Sequence, residues 1–242
     1  MSSLKHTPGS PDPRRFRMAG LLAPFLVLAH AAPGHAGDDM LARALARSSA
    51  NTTSEWAFER HVSVTSSGRQ HSNATEHWRP GGGGRDEALI DYRDLADLVG
   101  ADARLKRRGV DHAVYAVRVT SLPPLRVRSG DNETIIDGDW SEHPLVGELT
   151  TRLDERGEPY VATLELRLEK AFGNPIARVR KIEMQYRFEP AMQDGRMLTT
   201  GFQTEVAMRN LLFFGKQVKV DVVHTGFEPA PAVTVKAGQA SG

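Results

Sequence analysis

The amino-acid sequence predicts a mainly β (α+β) fold, a broad curved antiparallel sheet with one dry face under a helical lid, and three observations predict it. Tyr160, Ala162, Leu164, Leu166 and Leu168 alternate with Val161, Thr163, Glu165, Arg167 and Glu169, the period-2 pattern of a strand wetted on one side. The alternation returns in Ile182, Met184, Tyr186 and Phe188 against Lys181, Glu183, Gln185 and Arg187, and again in Leu198, Phe202, Val206 and Met208. Turn residues separate these runs at Asp154-Glu155-Arg156-Gly157, Gly173-Asn174-Pro175 and Gln193-Asp194-Gly195, at the spacing of neighbouring antiparallel strands.

The first residues are of another kind. Arg14, Arg15 and Arg17 precede an apolar run from Met18 to Ala32, and small residues follow at Gly34-His35-Ala36 and Ala29-His30-Ala31, the pattern of a secretory signal peptide over residues 1–36. The run is broken by Pro24 and falls short of the roughly 20 residues that a spanning helix needs, so no stable membrane insertion is expected. Arg14-Arg15 invites a twin-arginine reading, but Phe16 sits one place too early for it; the export route and the cleavage site stay open. The chain has no cysteine, which removes disulfides, thiol chemistry and a lipid-bearing cysteine together. A periplasmic location is expected.

After the leader, Asp38 and Asp39 precede Met40, Leu41, Ala44 and Leu45 at helical spacing, so a short helix opens the mature domain, residues 37–230. Trp56, Phe58, Val62 and Val64 read as a strand that ends at Ser66-Ser67-Gly68, and Gln70 to Trp78 read as its hairpin partner. Pro80 and Gly81 to Gly84 form a loop. It lacks the lysine and Ser/Thr of a phosphate loop, since Arg85-Asp86-Glu87 follows. From Glu87 to Arg108, Ile90, Leu95, Leu98 and Leu105 predict one helix or two broken near Gly100, a lid over the sheet. Val114 to Thr120, Leu145 to Arg152 and a last run through Val218, Val220 and Val222 add strands, and residues 231–242 read as a flexible tail. Leu211-Leu212-Phe213-Phe214 breaks the alternation; burial under a lid and an exposed partner-binding patch both explain it.

Lys and Arg number 31 against 30 Asp and Glu, so no general field draws nucleic acid or an acidic membrane, and a basic patch would have to be local. His71 and His77 share a strand face with His61 on the partner strand. Six residues along a strand span roughly 20 Å, too far for one ion, so no metal is expected. Asp137-Gly138-Asp139 lacks the glycine and glutamate of a calcium loop and reads as a turn; the sequons at Asn51, Asn73 and Asn132 read as turn or edge chemistry. No Gly-x-Ser-x-Gly is present and the carboxylates are spread along wet faces, so no catalytic residue, no cofactor and no enzymatic activity are expected.

The order of parts, a leader, an N-terminal helix, an aromatic-led hairpin from Trp56 to Trp78, a helical insertion and a meander of long strands, resembles the LolA-like family of periplasmic lipoprotein carriers from Asp38 to Phe227. The resemblance implies an unclosed β half-barrel capped by helices. It implies too that the hollow receives acyl chains, with a hydrophobic or acylated ligand, lipoproteins included, as partner. The residues it carries over are the apolar face: Leu164, Leu166, Leu168, Met184, Tyr186, Phe188, Phe202, Val206 and Met208. No motif fixes an equivalent of the arginine that ties lid to sheet in that family. The alternatives to a carrier are a structural or protein-interaction module of the envelope, a small outer-membrane barrel, which the helical insertion and Arg167, Lys181 and Arg187 disfavour, and an enzyme with an unrecognised site.

Overall fold

The computed structural model describes residues 38–50, 56–67, 69–79, 90–99, 103–122, 125–129, 132–136, 139–174, 176–191, 195–210 and 214–229. Residues 1–37, the glycine run, Met192, Leu211 to Phe213 and residues 230–242 lie outside them. Among the described residues no helix is long and apolar enough to cross a membrane.

The chain opens with helix α1 (Asp38–Ala46), whose acidic start favours the positive end of its dipole, followed by a 3-10 turn at Arg47–Ala50. The strands then run β1 (Trp56–Ser66), β2 (Arg69–Trp78), β3 (Arg104–Arg108), β4 (His112–Val119), β5 (Leu125–Ser129), β6 (Asn132–Ile136), β7 (Leu145–Leu153), β8 (Pro159–Leu168), β9 (Phe172–Gly173), β10 (Ala177–Pro190), β11 (Met197–Asn210) and β12 (Phe214–Pro229). A 3-10 turn at Tyr92–Asp94 and helix α2 (Leu95–Val99) lie between β2 and β3.

One antiparallel sheet of order β2-β1-β12-β11-β10-β8-β7-β4-β3 results, with β9 beside β10, and β5–β6 form a separate ribbon. The sheet does not close: β2 and β3 are its edges. The β7–β8 turn falls at Asp154 to Gly157, where the turn residues predict it, and Ser67 takes φ 49° between β1 and β2 while its N–H donates to the Gln217 carbonyl.

The helical lid is shorter than the apolar spacing over Glu87 to Arg108 predicts. Helix ends at Val99, and Arg104–Arg108 form the edge strand β3, all five residues exposed. A strand with no face to bury needs no apolar alternation, so Leu105 misleads a periodicity argument. Two further corrections come from bulges. Val161 is buried, because a bulge between Thr150 and Thr151 turns it to the dry side. Leu198 joins a small cluster with Trp56 and Ala191, apart from Phe202, because a bulge at Arg187/Phe188 reverses the face of β11 there.

Candidate functional site

The dry face runs across β4, β7, β8, β10, β11, β12 and β1. Leu164, Leu166, Met184, Tyr186, Phe188, Phe202 and Val206 stand together on it, all buried in one cluster, with Leu168 and Met208 packed half-buried at its margin. Register brings them together: Tyr186 pairs Leu164 on one side and Phe202 on the other, and Met184 pairs Leu166. The Tyr186 and Phe202 rings lie 4.7 Å apart, and burial pushes the Tyr186 hydroxyl well above its ordinary range.

The lid fills one end of this face. Leu41 and Ala44 of α1, Ile90, Tyr92, Leu95 and Val99 all bury into the same cluster, and Tyr92 meets Phe188 edge to face at 5.5 Å. Polar ties fix it in place. The Tyr92 hydroxyl donates to the Ala44 carbonyl and accepts from the Val161 N–H, both at 2.9 Å, and Thr199 Oγ1 donates to the Ile90 carbonyl at 3.0 Å. Burial pushes the Tyr92 hydroxyl up to about 12, although the Val161 N–H and the Arg47 charge oppose the rise. Arg47, just after α1, reaches Asp154 Oδ2 of the β7–β8 turn at 2.8 Å and the Gly195 carbonyl of the β10–β11 turn at 2.8 Å. Desolvation works to raise Asp154, but the Glu158 N–H and Arg47 outweigh it and hold its carboxyl below the ordinary range. Sequence reasoning assigned no arginine to this task and missed Tyr92 and Asp154; Asp154 was visible only as a turn residue.

The other end carries no helix among the described residues. The β4–β7 connection lays Leu122 and Trp140 into the cluster, yet Leu168, Phe172, Val179, Met208 and Val218 remain half-buried where β8 ends, β10 and β12 begin and β11 ends. His143 stacks on Phe172 with centroids 4.3 Å apart. Among the described residues, one end of the apolar face is thus packed under the helices, and Leu168, Phe172, Val179, Met208 and Val218 stand half-buried at the other.

The wet face carries hollows of its own. One of ≈ 750 Å³ is lined by Lys106, Glu148, Glu165, Gln185 and Gln203, and one of ≈ 790 Å³ by Trp56, Leu198, Arg187 and Phe227. Directly opposed carboxylates are neutralised locally: Lys181 bridges Glu183 at 2.9 Å and Glu205 at 2.7 Å, and Lys106 holds Glu148 at 2.6 Å opposite Glu165. Glu59 lies 3.7 Å from His61 and 3.6 Å from His77, while His61 itself sits between the Thr75 and Thr225 hydroxyls. Among the described residues no three metal-ligating side chains converge.

No protein-family model matches the chain, and no curated protein and no solved structure matches it.

Proposed function

We propose that this protein is a periplasmic carrier or binding protein for acyl or other hydrophobic groups, exported through its N-terminal leader and related in plan to the LolA-like carriers. The observation that carries the reading is the continuous apolar face, packed under a tied lid at one end and half-buried at Leu168, Phe172, Val179, Met208 and Val218 at the other. Thioether and aromatic side chains adapt to irregular apolar ligands, and eight buried methylenes contribute about 6 kcal/mol before ordering costs. The reaction asked of the protein is burial, with no catalytic group and no cofactor.

A second reading has its own support. Seven of the nine residues on the predicted binding face are already packed against side chains of this chain, as in a module of the cell envelope that binds a protein partner by its outer surface.

Native mass spectrometry of protein isolated from its own periplasm, with lipid extraction, tests the choice. A co-purifying acyl ligand is expected, together with binding of a hydrophobic fluorophore that Met208→Glu abolishes while the far-ultraviolet dichroism is kept. A protein that carries no ligand and leaves the fluorophore dark sinks the carrier reading.

A further inference from the structure

The sheet forks between β11 and β12. Their ladder begins at Gly201 opposite Val223, although β11 starts at Met197 and β12 runs on to Pro229. Past that rung the ladders continue only outward, β11 with β10 as far as Met197 opposite Pro190 and β12 with β1 as far as Pro229 opposite Trp56. Two ribbons thus part from one rung. The hollow of ≈ 790 Å³ lies between them, walled by Arg187, Glu189 and Leu198 of one ribbon and by Trp56, Val223 and Phe227 of the other.

Its walls are of two kinds. Trp56, Leu198 and Ala191 are buried in an apolar cluster of their own, with Phe227 packed against it, and Val223 is a large aliphatic side chain 36% exposed. Arg187 and Glu189 supply charge from one side of β10. Among the described residues neither makes an ion pair, with the other or elsewhere. Lys181 and Glu183, at the same spacing on the same strand, do pair, at 2.9 Å. Gly201 makes the difference. The Arg187 side chain lies across it, so close that a Cβ there would stand 2.6 Å from Nη2 and 2.8 Å from Nε. Glycine opposite Arg187 therefore lets the guanidinium lie over the rung where the ribbons part, leaving Glu189 to itself. Two residues along a strand span about 7 Å, so a cation and an anion stand a short molecule's length apart above an apolar wall.

We propose that this fork binds a small zwitterion with an apolar body, an amino acid or short peptide. Its carboxylate lies on Arg187, its ammonium on Glu189, and its side chain against Trp56, Leu198 and Phe227. A guanidinium takes a carboxylate by two parallel N–H bonds. A purely anionic amphiphile fits less well because Glu189 repels it, and a purely cationic one because Arg187 does. The fork's apolar cluster is separate from the apolar face under the lid, so the proposal goes beyond the carrier reading and does not rest on it.

Isothermal titration calorimetry of the mature protein with leucine and with leucyl-leucine tests it. Three probes accompany them: leucinamide lacks the carboxylate, N-acetyl-leucine lacks the ammonium, and glycine lacks the apolar body. A zwitterion is expected to bind, the tighter of the two naming the source, and each of the three probes about tenfold more weakly. Arg187→Gln lowers leucine affinity about tenfold and removes the preference for leucine over leucinamide, while Glu189→Gln removes the preference over N-acetyl-leucine. Gly201→Ala, which pushes the guanidinium from its seat, weakens leucine binding as Arg187→Gln does. No binding of either zwitterion, equal binding of leucine and its blocked forms, or preferences that survive both substitutions overturn the proposal. Met208→Glu, which removes fluorophore uptake from the apolar face, leaves leucine binding intact, so failure of one reading is told apart from failure of the other.

Discussion

His224 sits on β12 with 3% of its surface exposed, its ring 4.6 Å from Phe58 and its Nδ1 2.7 Å from the Thr199 carbonyl. That contact makes Nδ1 the protonated nitrogen, donating to the carbonyl, and leaves Nε2 buried without a hydrogen bond. Desolvation pulls its pKa from the ordinary 6.5 down to about 4, against the pull of the Thr199 carbonyl. The unfolded chain thus binds a proton near 6.5 that the folded chain refuses until about 4. Stability contributed by neutral His224 is complete above 6.5 and is lost as the pH falls toward 4, on the order of 3 kcal/mol over that window. Urea unfolding from pH 4 to 7 should show this slope, and His224→Leu should flatten it; an unchanged slope in the variant rules His224 out as its source. Tyr92 gives a second check. Tyr92→Phe strands the Val161 N–H and the Ala44 carbonyl in the core and should cost about 2–3 kcal/mol, with the dichroism preserved.

At the scale of elements, strands that are dry on one side could be read directly from the chain: β7, β8, β10 and β11 fall where alternation and turn residues place them. The misreadings have a common cause. Alternation reports burial, so it fails for β3, which buries nothing, and for Leu198 and Val161, where bulges exchange the faces. The nine residues of the apolar face were legible as a set because each sits at an even offset along its strand. The ties that hold the lid were not, because Arg47 finds its partners more than a hundred residues away, at Asp154 and Gly195, and no local pattern records such a pairing. Arg47→Ala leaves a carboxylate only 6% exposed without its cation. The Arg156 and Glu158 N–H groups still hold that carboxylate, so the loss costs about 1–2 kcal/mol. Hydrogen exchange on the variant should show α1 opening before the sheet does; opening of both in one step refutes Arg47 as a lid tie.

For the molecule as a whole the consequence of an unclosed sheet is two edges, and an exposed edge strand is a template for a second chain. β3 carries the remedy in its sequence, with Arg104, Lys106, Arg107 and Arg108 all exposed along five residues. Lys106 and Arg107 also serve Glu148, at 2.6 and 3.6 Å, so their removal would disturb the wet face as well as the edge. Arg104 permits a cleaner experiment. Replacing it by threonine, a residue at home in strands, retains the β3–β4 pairing and lowers the repulsion between two copies meeting edge to edge. Sedimentation velocity across a hundredfold range of concentration should then show more dimer than the parent forms, with unchanged dichroism and with the difference between the two proteins largest at low salt, where repulsion is least screened. A variant that associates no more than the parent assigns the protection of this edge to something other than Arg104.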